Sequence, residues 1–278
     1  MSDVIVACCQ LDLAVGEVRR NRAAARAGIE AAAARGAQVI VLPELTPSGY
    51  VFRDFDEARA LSEPLDGPTV AEWTELARRH EAVIVGGICE LDGEGVLRNS
   101  AVLVDRDGAR AVYRKAHLWN AEKEFFQPGD GRPPVVETDF GRIAVMICYD
   151  LEFPEWIRLA ALAGAQLLAS PTNWPREVRP PQERPVEVIR VQANSAVNRI
   201  YCAAADRTGT ERGVEWVAAS VIVGPDGYPL AGPLDGSGPG VIVARCDLAR
   251  ARDKRTSARN DAFSDRRPQL YEVEPSRA

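Results

Sequence analysis

Residues 141–155 read Gly141-Arg-Ile-Ala-Val-Met-Ile-Cys148-Tyr-Asp-Leu-Glu-Phe-Pro-Glu155. The run Ile143–Cys148 is apolar, strand-sized and closed by a turn, which predicts a buried strand. Proline is favoured in the first turn of a helix, so Pro154 predicts a helix over Pro154–Ala163. Strand, turn and helix in so short a space form the repeating unit of an α/β fold.

The same rhythm extends in both directions. Upstream, strands are predicted at Val4–Cys9, Val39–Leu42, Val83–Cys89, Val96–Val104 and Ala111–Ala116, with helices at Asn21–Ala34 and Val70–His80. Asp107-Gly108 is a hairpin signal between two of these strands. Downstream, strands are predicted at Gln166–Ser170, Ile200–Ala205, Ala219–Val223 and Val241–Cys246, with a helix at Pro185–Asn198 and a turn at Asp226-Gly227. No Gly/Ser-rich linker divides the chain, which predicts a single α/β domain. Either two sheets between helical layers or one sheet covered on both faces satisfies the pattern. From about Asn260 the chain is polar and aperiodic, and is expected to be a surface arm or a segment packed on a partner.

With 46% hydrophobic and 27% charged residues, the chain can build a sizeable core. A net charge of -6 offers no basic footprint for nucleic acid or an anionic membrane surface. The longest apolar runs are far short of a membrane span. Met1 to Gln10 runs directly into a β-like segment, so no signal peptide is expected, and a cytoplasmic location follows. Six cysteines without a CxxC pair read as reduced thiols, and with two histidines they give little support for zinc. No metal or cofactor is expected.

Cys148, at a strand end before a turn, stands where a nucleophile projects from a rigid element. The next backbone N–H, that of Tyr149, can face a developing oxyanion. The alternative is a small core hydrophobe, the usual fate of a free cysteine. In Val39-Ile-Val-Leu-Pro-Glu44, a carboxylate sits at the mouth of a buried strand, where burial raises its pKa and suits it to proton abstraction. A solvent-exposed loop residue is the alternative. Tyr113-Arg-Lys115-Ala-His117 places Lys115 on a strand, with Tyr113 and His117 on the same face by period two. A strand lysine otherwise reaches out to water. His117 also opens a Cys–His reading, weakened by the lack of an orienting Asn or Asp nearby.

Together these segments resemble the nitrilase (carbon–nitrogen hydrolase) superfamily. The resemblance rests on Leu-Pro-Glu44, Tyr-Arg-Lys115-Ala-His-Leu, Glu122-Lys-Glu-Phe-Phe-Gln-Pro-Gly-Asp130 and Cys148-Tyr-Asp-Leu-Glu-Phe-Pro-Glu155, in the family's order, and runs from the first strand to about Cys246. It implies a four-layer α-β-β-α sandwich over residues 1–259, with 260–278 as a C-terminal arm at a dimer interface. It implies a homodimer or larger homo-oligomer, and an amidase that takes a small-molecule amide. Cys148 would be the nucleophile and Glu44 the general base. Lys115 and the Tyr149 N–H would stabilise the oxyanion, and Glu122 would orient Lys115 and the substrate nitrogen.

Substrate choice is expected from the turn that follows. Nitrilases of the superfamily commonly carry Cys-Trp-Glu; Cys148-Tyr149-Asp150 looks like the amidase and carbamoylase branches. Branches that bind substrate carboxylates place arginine in this turn, whereas this chain has Leu151 and Glu152. Glu152 is expected to repel carboxylates and attract an amine, which favours an aliphatic or ω-amino amide; the alternative for Glu152 is a surface salt bridge. Tyr50, Trp119, Asn173 and Trp174 are the remaining expected pocket residues. An N-carbamoyl amine hydrolase and a nitrilase are the enzymatic alternatives. A catalytically silent binding protein is the non-enzymatic one.

Overall fold

Strand β1 (Val4–Asp12) shows how the sequence divides the interior. Val4, Val6 and Cys8 join one buried cluster, while Ala7, Cys9 and Leu11 join another. Side chains alternate across a strand, so a strand buried on both faces must lie between two layers. The computed structural model describes residues 3–180, 182–234, 236 and 238–271, and builds four such layers.

In the first sheet, β1, β2 (Val39–Val41) and β3 (Val83–Leu91) run parallel, and β4 (Leu97–Asp105) and β5 (Gly108–Arg114) continue antiparallel. Gly240–Cys246 pairs antiparallel with the other edge of β1. The second sheet places β6 (Val135–Thr138) antiparallel to β7 (Gly141–Val145), with β8 (Leu167–Pro171) and β9 (Tyr201–Ala205) parallel beyond it. Val221–Val223 and Pro229–Ala231 complete that sheet.

Helix α1 (Val18–Ala33), the short α2 (Phe55–Ala60) and α3 (Pro68–His80) lie in the first half. Ala25 and Ile29 of α1 and Val70, Trp73 and Leu76 of α3 cover the outer face of the first sheet. The fit is close: a Cβ at Gly86 would lie 2.5 Å from the Trp73 ring. Protein interiors pack at crystal-like density, so a glycine is what admits the indole there. After α4 (Glu122–Phe125), helices α5 (Pro154–Leu162) and α6 (Val186–Asn198) cover the second sheet with Ile157, Ala160, Val188 and Val191. The inner face of the first sheet, carrying Val6, Val41 and Val85, packs on the second sheet in one buried cluster. This is the expected α-β-β-α sandwich, and the single-sheet alternative is set aside.

Two predicted strands end early, both at the chemistry. The strand expected through Ala116 stops at Arg114, and the one expected through Cys148 stops at Val145. Cys148 has φ of 44°, which ends any extended run and opens a 3-10 turn over Cys148–Glu152. The short elements α2, α4, β6 and Pro229–Ala231 were not expected; three to six residues carry too little periodicity to read. The polar C-terminal stretch folds back in part: Arg158 of α5 lies 5.1 Å above the Phe263 ring, and Lys254 4.7 Å. Residues 272–278 of the expected arm lie outside the described residues.

Candidate active site

The expected site residues converge where both sheets present the C-terminal ends of parallel strands, the usual position for a ligand site in α/β folds. Glu44 follows β2, Cys148 follows β7 and Asn173 follows β8. The Glu44 segment lies across β3, with the Gly87 N–H donating to the Pro43 carbonyl and the Thr46 N–H to the Gly87 carbonyl. A Cβ at Gly87 would sit 2.5 Å from the Leu45 nitrogen and 2.6 Å from the Glu44 Cα. Glycine at this point lets the loop lie flat and aim the carboxylate inward.

That carboxylate is fully buried. Its Oε1 accepts from Lys115 Nζ and from Asn99 Nδ2, each at 2.7 Å. Its Oε2 is buried and takes no hydrogen bond from the described residues. Burial pushes the Glu44 pKa up to about 7, against the pull of Lys115; neighbouring Glu122 adds to the rise. A carboxylate poised there can both take and return a proton near neutral pH.

Lys115 stands one residue past β5 and is 1% exposed. Its main-chain N–H still donates to Asn99 on β4, and its Nζ reaches Glu122 Oε1 at 2.7 Å as well as Glu44. Burial alone would pull its pKa down, but the carboxylates of Glu122 and Glu44 more than reverse this and hold it above the ordinary lysine range. An ammonium taken out of water costs several kcal/mol unless it is paired. Two carboxylates supply that pairing and lock the charge in place. Glu122 is itself held, its Oε1 accepting from the Tyr50 hydroxyl at 2.5 Å and its Oε2 from the Trp119 N–H at 3.1 Å.

Cys148 opens the 3-10 turn in the left-handed region, a strained conformation for a residue with a Cβ. Buried Asp150 secures it, accepting from the Ile147 N–H at 3.1 Å and from the Tyr113 hydroxyl at 2.8 Å. Asp150 also accepts from the His117 N–H and contacts His117 Nδ1 at 2.7 Å, so one carboxylate ties the nucleophile turn to the Lys115 segment. His117 stacks on Phe153 at 3.7 Å. It braces these two segments, and the Cys–His reading loses its partner. Burial, then Glu44, pushes the Cys148 thiol well above its ordinary value, with Lys115 opposing. The resting thiol is therefore protonated, and attack needs a base.

Tyr50, Trp119, Cys148, Tyr149, Glu152, Asn173 and Trp174 line one pocket of about 240 Å³. Asn173 donates from Nδ2 to the Glu44 carbonyl at 2.9 Å, and its own carbonyl lies 3.7 Å from Cys148 Sγ. Glu44, Lys115 and Glu122 form the buried network behind these walls. Glu152 makes the salt bridge that was its alternative reading, with Arg190 Nη1 2.6 Å from its Oε1, and still lines the pocket. Glu177 and Glu187, which the sequence reading missed, also line the pocket. Three carboxylates thus face one guanidinium, and the mouth stays acidic. Burial raises the pKa of Glu187. Asn99 was also missed; it stands between Arg98 and Ser100 in the polar first half of β4, where an amide gives no distinct signal. Among the described residues no group of three or more His, Cys, Asp or Glu is placed to hold a metal ion.

A protonated thiol, a carboxylate poised to take its proton and a fixed ammonium can together carry out nucleophilic attack on a polarised carbon. The comparisons with known proteins agree. The family model "Carbon-nitrogen hydrolase" matches residues 5–256. A protein named nitrilase from Pyrococcus abyssi is 37% identical over 96% of this chain and 99% of its own. An N-carbamoylputrescine amidase from Arabidopsis thaliana is 32% identical over 92% of this chain and 90% of its own. Among solved structures, an amidase from Nesterenkonia sp. superposes with a TM-score of 0.79 at 28% identity, covering 97% of this chain and 95% of that one. Another form of that amidase carries the acetamide moiety of fluoroacetamide covalently at its active-site cysteine.

Proposed function

The chain belongs to the carbon–nitrogen hydrolase family, the nitrilase superfamily, and is an enzyme acting on carbon–nitrogen bonds; on that premise we propose that it hydrolyses a small aliphatic amide with a neutral or cationic tail. Cys148 Sγ attacks the amide carbonyl carbon as Glu44 takes the thiol proton. The oxyanion of the tetrahedral intermediate is met by Lys115 Nζ and the Tyr149 N–H. The carbon–nitrogen bond breaks, and the leaving nitrogen receives the proton from Glu44 and departs as ammonia. A thioester on Cys148 remains. Glu44 then deprotonates water for attack on that thioester, and the thiol regains its proton as the acid leaves. Glu122 holds Lys115 in register throughout.

The observation that carries this reading is the position of Lys115 Nζ, 2.7 Å from both Glu44 and Glu122 and closed off from solvent. Preorganised charge in a water-excluded site acts on a developing oxyanion far more strongly than in water. The tail preference rests on Glu152, Glu177 and Glu187 facing Arg190 in the pocket. The same acidic wall supports a second reading, an N-carbamoyl amine, in which the bond broken belongs to a ureide and the tail is an ammonium. A panel of aliphatic amides, ω-amino amides, ω-carboxy amides, N-carbamoyl amines and nitriles separates these by ammonia release. Fastest turnover of ω-carboxy amides would contradict the tail preference.

Further proposals concern assembly and setting. Residues 1–259 form the catalytic domain, and 260–278 the arm that completes a dimer. Exposed Leu162 on α5 and exposed Val186, Ile189 and Val197 on α6 support a homodimer through these helices. Sedimentation as a monomer at working concentration would remove it. The six free cysteines are consistent with a reducing, cytoplasmic setting.

A further inference from the structure

Beyond the residues already described, a second buried ion pair lies next to the pocket. Arg207 is fully buried and Glu211 nearly so, with Arg207 Nη2 at 2.8 Å from Glu211 Oε1. Arg207 also donates to the Leu13 carbonyl, and its guanidinium lies 4.5 Å above the Trp216 ring. Isolated buried ion pairs are poor stabilisers, because desolvation offsets their attraction. What this one holds is therefore informative.

Glu211 Oε2 accepts from two consecutive amides, Tyr50 N–H at 2.9 Å and Val51 N–H at 2.7 Å. The chain is wrapped tightly around that carboxylate. Gly49 has φ of 79°, and a Cβ there would lie 2.8 Å from Glu211 Oε1 and 2.3 Å from the Val15 Cα. Trp216, underneath Arg207, meets the Tyr50 ring edge-on at 5.6 Å. Both the main chain and the ring of Tyr50 are thus set by Glu211, Arg207 and Trp216. The Tyr50 hydroxyl ends on Glu122 Oε1, the oxygen that also takes Lys115 Nζ.

We propose that Glu211 is a positioning residue for the reaction: it anchors the Tyr50 main chain so that the Tyr50 hydroxyl fixes Glu122, and Glu122 fixes Lys115. This rests on the roles given above to Lys115 and Glu122. Arg207 pairs with Glu211 Oε1, which leaves Oε2 aimed at the two amides. Misplacing a catalytic group by about 1 Å costs on the order of 100-fold in rate, which is the scale of effect expected when the anchor is removed.

The test is a double-mutant cycle with Glu211→Gln and Tyr50→Phe, read in two ways: kcat and KM on the best amide, and the rate of Cys148 alkylation by iodoacetamide against pH. Each single variant should lower kcat by roughly 10- to 100-fold. The double variant should be no worse than the poorer single, because both break one chain of contacts. Losses that multiply in the double variant, or a Glu211→Gln protein with reduced Tm and unchanged kcat, would overturn the proposal. If Glu211→Gln does not fold, Glu211→Asp takes its place in the same cycle. The alkylation readout separates this proposal from the amidase reading. If the wild-type protein turns over no amide, non-additive shifts in alkylation still support the Glu211 anchor, and additive shifts still refute it.

Discussion

Asn99 and Lys115 meet on a single oxygen: Asn99 Nδ2 and Lys115 Nζ both donate to Glu44 Oε1 at 2.7 Å, and the Lys115 N–H donates back to the Asn99 carbonyl. One carboxylate oxygen is thereby fixed, and the other, Oε2, is left to exchange protons. Hydrogen bonds to a carboxylate favour its charged form, so Asn99 and Lys115 also keep Glu44 from rising further.

Loss of Asn99 should therefore move the base. In Asn99→Ala the Glu44 pKa rises above about 7, and the low-pH limb of kcat/KM moves to higher pH. Activity at pH 7 falls more than activity at pH 9. Parallel profiles displaced by one constant factor would show that Asn99 does not act through Glu44 ionisation.

In the wild-type enzyme, kcat/KM should rise through pH about 7, following a base whose pKa burial has raised. Cys148 stays protonated over this range, since its pKa is also raised. A limb that falls rather than rises through pH 7 would rule out Glu44 as the base.

Lys115→Met leaves two buried carboxylates facing each other. Breaking a buried pair in this way costs about 3–5 kcal/mol. Without the ammonium, the folded-state pKa of Glu44 stands still further above its ordinary value of 4.5, so the folded protein binds more protons than the unfolded chain. Stability is then present at low pH and lost as pH rises from about 4.5 through the folded-state value. Urea denaturation should show a larger deficit at pH 8 than at pH 5. Equal deficits at both would mean that carboxylate repulsion is not the cause.

Gly87→Ala tests the loop that aims Glu44. Its Cβ meets main-chain atoms of Leu45 and Glu44, which cannot swing aside as a flexible side chain would. A shift of the carboxylate should cost roughly 100-fold in kcat. Near wild-type kcat would show that the loop adapts without moving Glu44.

Glu44, Lys115 and Cys148 stood out because each is a polar or reactive residue at the edge of an apolar run, whereas Glu122 was marked only by the family resemblance. The strand end at Val145 was not legible, because the positive φ at Cys148 leaves no trace in a hydrophobic pattern. Asn99 and Glu211 escaped for a different reason. Their partners lie 55 and 161 residues away, and only the fold brings them together. The salt-bridge partner of Glu152 could not be named from the sequence for the same reason, since Arg190 reaches it from another helix.

The most direct test of the account is ammonia release from the amide panel by the wild-type protein and by Cys148→Ala, with intact-protein mass recorded during turnover. The account predicts ammonia from at least one amide, an added mass on the wild-type chain equal to the acyl group, and neither signal from Cys148→Ala. Ammonia release that persists in Cys148→Ala would contradict it.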